Sequence, residues 1–228
     1  MVKKIYCLLL CGFILFNILG CADKESFAGK NRDERIIMSL EKTYPEHTFQ
    51  IVKPYDKYYG NYYALCEDET GLQFKVHTIV YDNRYHFGCH DEYLLEILQK
   101  DNFIKKAEEI AKKHGYAIDY DKDNQTLSLM TDVESAVDTS DLAETILEIL
   151  NTTPKLPKIE YPDTTFSTGV EHYYAEPEMY KIFYEFVTEK INIVGIGDVS
   201  IDQKVEKAHL EQDVMEAYNR AMENKDTY

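Results

Sequence analysis

The chain has 228 residues, with 41 acidic against 25 basic side chains and a formal charge of −16. Such a surface repels phosphate backbones and anionic lipid, which argues against a nucleic-acid-binding role. Five cysteines are too few for a disulfide scaffold, and no internal repeat or low-complexity stretch is evident.

The first stretch is a leader. Met1-Val2-Lys3-Lys4 is positively charged, and the fifteen residues Ile5–Leu19 that follow have Asn17 as their main polar interruption. As a helix this run reaches about 22 Å, short of the ~30 Å hydrocarbon core, so it predicts an export signal rather than a permanent span. Its end, Ile18-Leu19-Gly20-Cys21, resembles the lipobox of bacterial lipoproteins. The resemblance implies transfer of a diacylglyceryl group to the Cys21 thiol and cleavage just before it. Residues 1–20 would be removed and Cys21 would become the lipidated first residue, carrying acyl chains such as palmitate. Gly20 fits the small residue usual before the cut. Leu19 is bulkier than the residue most often found there, and Ile18 replaces the commoner Leu. Two or more acyl chains, at ~0.8 kcal/mol per buried CH₂, anchor stably where one does not. Loss of Lys3 and Lys4 would move the charge from −16 to −18. The implied location is the cell membrane, on its extracytoplasmic face. Ala22, rather than Asp, follows Cys21, so the usual inner-membrane retention signal of two-membrane cells is missing.

Residues 21–30 are polar and small, a short tether. Asn31-Arg32-Asp33-Glu34 predicts a variant capping box, followed by Ile36, Ile37, Leu40 and Tyr44 at helical spacing until Pro45. Strands are predicted at Thr48–Lys53, Asn61–Cys66, Leu72–Tyr81 and Tyr85–Cys89, an antiparallel meander with turns at Glu67–Gly71 and Asp82–Arg84. Asp91–His114 reads as one long helix or two short ones with a break at Asp101-Asn102, and Gly115 suits the residue past its end. A second hairpin follows, Tyr116–Tyr120 with Gln125–Met130, then an amphipathic helix over Thr139–Leu150. Asn151–Pro162 holds three of the six prolines and reads as a linker. Beyond it, within residues 163–228, Tyr180–Val187 and Ile191–Ile196 predict a third hairpin, although helical spacing also fits 177–190. A last helix is predicted over Val205–Met222. The order predicts an α+β fold, with a meander and hairpins packed against several helices: a domain over 31–150, and a C-terminal hairpin and helix joining the same globule. The stretch Lys42-Thr43-Tyr44 and Glu46-His47-Thr48-Phe49 is similar to domain openings in uncharacterised surface lipoproteins of Firmicutes, a likeness covering about residues 35–90. It implies a one-membrane host and this fold, and no particular activity.

Four constellations carry potential chemistry. Cys66 and Cys89 are candidates for a disulfide. The predicted register puts them on opposite faces of strands flanking the central one, of order 19 Å apart, against the ~7 Å a disulfide tolerates. The same register pairs Cys89 with His77, a thiol beside an imidazole. That pair suits a nucleophile and base, or half a zinc site with His86 or His90, although those two point to the other face. Asp119-Tyr120-Asp121-Lys122-Asp123-Asn124 resembles the first half of a calcium-binding EF-hand loop, but position twelve is Met130 and the flanks read as strands, so an acidic turn is the better account. Tyrosine numbers 19 and tryptophan is absent. Tyr55, Tyr58, Tyr59 and Tyr62 cluster in one loop, where flat apolar faces with hydroxyls suit a glycan or a protein surface, and the bland alternative is that tyrosine is a good strand residue. No complete catalytic motif and no cofactor motif is present. The sequence therefore predicts a membrane-anchored binding module for an envelope protein or glycan. The alternative is an envelope enzyme or metal-binding protein using Cys89 and His77.

Overall fold

The computed structural model describes residues 30–55, 62–78, 86–122, 124–135, 137–160, 172–188 and 192–225. The leader, Cys21, Tyr58 and Tyr59 lie outside them. The described residues form an α+β fold of five helices and nine strands.

Helix α1 (Arg32–Thr43) starts as predicted. Asn31 accepts from the Glu34 N–H at 3.0 Å, and the Glu34 carboxylate accepts from the Asn31 N–H at 2.7 Å. Strands β1 (Phe49–Lys53), β2 (Tyr63–Asp68), β3 (Gln73–Thr78) and β4 (His86–Asp91) follow as the antiparallel meander. The β2–β3 turn is tighter than predicted. Asp68 Oδ1 accepts from Thr70 N–H, Thr70 Oγ1 and Leu72 N–H, and Gly71 sits at φ +85°, where a side chain would be strained.

Helix α2 (Tyr93–Lys100) is separated from α3 (Phe103–His114) at the predicted break. Asn102 adopts a left-handed conformation, φ +58°, one of the few non-glycine residues that do so readily. Gly115, at φ +84°, ends α3. The hairpin β5 (Ala117–Asp121) and β6 (Thr126–Asp132) leads to α4 (Thr139–Leu150), whose N-cap Asp138 accepts from the N–H groups of Ser140 and Asp141, each at 3.0 Å. Strands β7 (His172–Pro177), β8 (Lys181–Val187) and β9 (Ile193–Ser200) and helix α5 (Lys207–Asn224) complete the chain. Strand resolves the ambiguity over 177–190.

The pairing adds what pattern alone did not predict. One sheet, here sheet A, has the order β1-β2-β3-β4-β7, and sheet B has β5-β6-β8-β9. Within them β7 runs parallel to β4 and β8 parallel to β6. The chain after residue 171 therefore supplies β7 to sheet A and both β8 and β9 to sheet B. Strand β7 was not predicted, because His172-Tyr173-Tyr174-Ala175-Glu176-Pro177 does not alternate and ends on a residue that cannot donate to a ladder.

Each sheet has one covered face. Ile36 and Leu40 of α1 and its C-cap residue Tyr44 pack on Ala64, Cys66, Phe74, Val76, Phe87 and Cys89 of sheet A, all fully or almost fully buried. Helices α3, α4 and α5 cover Leu127, Leu129, Ile182, Tyr184 and Phe186 of sheet B. Helix α2 serves both cores, with Leu94 in the first and Leu95 and Leu98 in the second.

The edge strand β7 is closed by one side chain. Thr43 Oγ1 accepts from Ala175 N–H at 3.1 Å and donates to Ala175 C=O at 3.3 Å, at a site with no solvent exposure of Thr43. Thr43→Val keeps the shape and removes both bonds. It is expected to destabilise the fold by about 1–3 kcal/mol, the cost of leaving buried backbone groups unpaired. Urea unfolding measures this, and an unchanged midpoint would show that β7 does not depend on the contact.

Candidate functional site

Register locates the tyrosine-rich region. Lys53, Tyr63, Thr78, His86 and His172 all lie at one end of sheet A. The connecting segments 56–61 and 79–85 join strands at that end, and 161–171 leads into β7 there. The first two segments carry Tyr58, Tyr59, Tyr81 and Tyr85 in the sequence.

Of the four predicted ligand-contacting tyrosines, two are described, and they differ. Tyr62 is 61% exposed. Tyr55 is half-buried against the sheet A core: its N–H donates to Asp33, and the Arg32 guanidinium lies 4.4 Å from its ring centroid. Its ring therefore serves packing rather than a ligand face.

The open face of sheet A continues from this end. Tyr63, His77 and His90 form one cross-strand row over β2, β3 and β4. The Tyr63 and His77 rings meet edge to face at 5.7 Å, and Lys75 Nζ lies 5.3 Å from the Tyr63 ring centroid. His77 Nε2 is 3.2 Å from Glu92 Oε1, and Lys75 Nζ is 3.7 Å from Glu92 Oε2. Burial works against the Glu92 carboxylate, but the His77 hydrogen bond and the Lys75 charge outweigh it and hold its pKa below the ordinary value. Tyr63, Lys75, His77 and Glu92 thus offer an aromatic surface beside fixed charges, and the exposed Tyr62 immediately precedes Tyr63 in the chain. Such a surface can stack on a planar or sugar ring and hydrogen-bond its edges.

The Cys89–His77 pairing does not form. Cys89 is opposite Thr78, and His77 is opposite His90. A one-residue difference in register turns every side chain to the other face. Cys89 is therefore on the buried face while His77 is on the open one. Cys66, opposite Phe74, shares that buried face with Cys89, contrary to the opposite faces expected. Neither forms a disulfide. Burial pushes the Cys66 thiol up to about 12 and that of Cys89 well above its ordinary value, so neither is a ready thiolate. Among the described residues no group of three or more His, Cys, Asp or Glu side chains is placed to hold a metal ion. The EF-hand-like stretch is a hairpin turn in which Asp121 accepts from the Asn124 backbone at 3.1 Å and its side chain at 2.7 Å.

The buried face of sheet A, one residue along from the Tyr63–His77–His90 row, holds a polar network that sequence reasoning missed: Asp91 is opposite Val76, itself opposite Ala64. Asp91 has no solvent exposure. Its Oδ1 accepts from Tyr44 Oη at 2.8 Å and from the Tyr93 N–H at 3.1 Å, while Oδ2 is buried with no partner. Burial raises its pKa to about 7. The Tyr44 and Tyr93 bonds oppose the rise, and the Glu178 and Glu92 charges add to it. Beside it, Tyr93 Oη donates to Asp68 Oδ2 at 2.9 Å, and His47 Nδ1 lies 2.8 Å from Glu69 Oε1. Apart from the His47–Glu69 pair near the surface, these bonds join α1, the β2–β3 turn and the start of α2. Their chemistry is that of a clamp. The local signal was the spacing Asp91-Glu92-Tyr93 ahead of a helix, which marks a turn without revealing what it buries.

Comparisons with protein-family models, with curated proteins and with solved structures returned no match. No helix of the described residues is long and apolar enough to cross a membrane.

Proposed function

We propose that this chain is a lipid-anchored extracytoplasmic protein that binds an envelope protein or glycan through the tyrosine-bearing end of sheet A. The lipobox-like Ile18–Cys21 supports the anchor. One observation supports the binding site above the others. The exposed Tyr62 and the Tyr63–His77 pair stand at the end of β2 and β3 where two tyrosine-carrying connections, 56–61 and 79–85, begin or finish. A binding role needs no catalytic group there, only a flat apolar surface with polar edges held on a rigid sheet.

The test uses the full chain in cells and has two readouts. Labelled palmitate is expected to enter the wild type and not Cys21→Ser; label retained in that variant overturns the anchor. Cross-linking in intact cells and retention on purified cell-wall glycan then compare wild type with Tyr62→Ala and with Tyr58→Ala/Tyr59→Ala. Loss of an anchoring aromatic is expected to weaken capture about tenfold or more. Undiminished capture by both variants moves the site elsewhere.

A further inference from the structure

The uncovered face of sheet B is a second surface with a definite character. Its helices lie on the other face, so the residues paired outward are open. Register sets Ala117, Met130, Glu185 and Ile196 in one row across all four strands. Val187 and Ile193 pair above this row and Phe183 lies below it, so apolar side chains surround Glu185 on this face. Met130 is 36%, Ile193 52% and Ile196 46% exposed. These apolar groups are set among acids: Asp132, Glu185, Asp119 and Asp198 face the same way. The one cation in these rows, Lys181, is held 3.5 Å from Asp198.

We infer that this face docks a basic amphipathic polypeptide segment. Three physical arguments select that occupant. The face measures about 14 Å across four strands and about 20 Å along them, a footprint of roughly 300 Å². A stable dimer needs ~800 Å² per partner, so a second copy is poorly served by it, and like acids would also meet across the two-fold axis. Anionic lipid is repelled for the same reason. A helix about 10 Å wide and roughly thirteen residues long fits the dimensions, with apolar side chains on the apolar groups and Lys or Arg over the acids.

The test titrates the full chain with a synthetic amphipathic helix of roughly 14 residues whose faces are Leu and Lys, and with the same peptide carrying Glu for Lys. Fluorescence anisotropy reads binding. The Lys peptide is expected to bind, more weakly as salt is raised, and the Glu peptide not to bind. Because an acidic protein attracts any cation, the decisive comparison keeps charge constant. Met130→Ser/Ile196→Ser is expected to weaken binding about tenfold, as loss of central apolar contacts does. Both side chains are exposed, so the variant keeps the fold, which circular dichroism checks. Glu108→Gln/Glu109→Gln on α3 is expected to change binding less than about twofold, the effect of a screened distant charge. Equal losses from the two variants, or equal binding of the Glu peptide, overturn the inference. Tyr62→Ala is expected to leave this binding unchanged, which separates the face from the end of sheet A.

Discussion

Asp91→Asn is expected to remove most of a fall in stability that the wild type shows between about pH 4 and pH 7. The Asp91 carboxyl is fully buried and its pKa rises from 3.8 to about 7. In that window the folded chain holds a proton that the unfolded chain has released. Unfolding therefore releases a proton, and stability decreases as pH rises from the unfolded value to the folded one, then levels off. A shift of about three units corresponds to ~4 kcal/mol across the window. Asparagine stays neutral throughout and keeps an oxygen for Tyr44 and the Tyr93 N–H. Its amide hydrogens enter a site where Oδ2 has no partner, which costs about 1–3 kcal/mol at every pH. The variant is thus expected to be weaker than wild type at pH 4, comparable near pH 5 and stronger by about 1–3 kcal/mol at pH 8. Urea midpoints from pH 4 to pH 9 measure it. Parallel profiles for the two proteins would show that Asp91 is ionised in the fold.

Gly195→Ala is expected to cost about 1–3 kcal/mol or more, through overpacking alone. A Cβ at residue 195 would stand 2.6 Å from Ala221 Cβ and 2.8 Å from Ala217 O, so α5 meets β9 with no room for a methyl group. One of the opposing atoms is backbone and the other a β-carbon fixed to it. Relief therefore requires shifting the whole helix, which is held by Leu210, Val214, Ala217 and Ala221 in the sheet B core. Gly197→Ala meets a different obstacle, the Tyr184 ring, as close as 2.2 Å. A ring can turn, so this substitution is expected to cost less and to change the near-ultraviolet tyrosine dichroism. Thermal melting ranks the two. Gly195→Ala combined with Ala221→Gly is expected to recover part of the loss, since one of the two closest contacts is removed. No recovery would place the strain at Ala217 O.

The local devices of this fold were legible because each uses neighbours in sequence. Asn31 and Glu34 form their capping box whatever packs around them, Gly115 ends α3, and the amphipathic run Thr139–Leu150 coincides with α4. The alternation in β3 marked a strand, and the Glu67–Gly71 turn marked its pairing with β2. The candidate site was legible only in part. Composition pointed to tyrosines at the β1–β2 connection, but nothing local distinguished Tyr62, exposed, from Tyr55, covered by Arg32. The Cys89–His77 pair failed because a hairpin's register depends on the parity of its turn, and one residue decides the face.

Other features are long-range, and only the folded chain decides them. The two parallel pairings, β4 with β7 and β6 with β8, bring together residues more than fifty positions apart, with no local signal to announce them. Burial of Asp91 comes from α1 closing over sheet A, so its raised pKa belongs to the assembly and not to the residue. The leader is the opposite case. The proposed export and anchoring rest on the charge, the apolar run Ile5–Leu19 and Cys21, all read from neighbours in sequence. Sequence thus settles the short-range caps, turns and elements, and tertiary structure settles which faces stay open, because exposure is a property of everything packed around a residue.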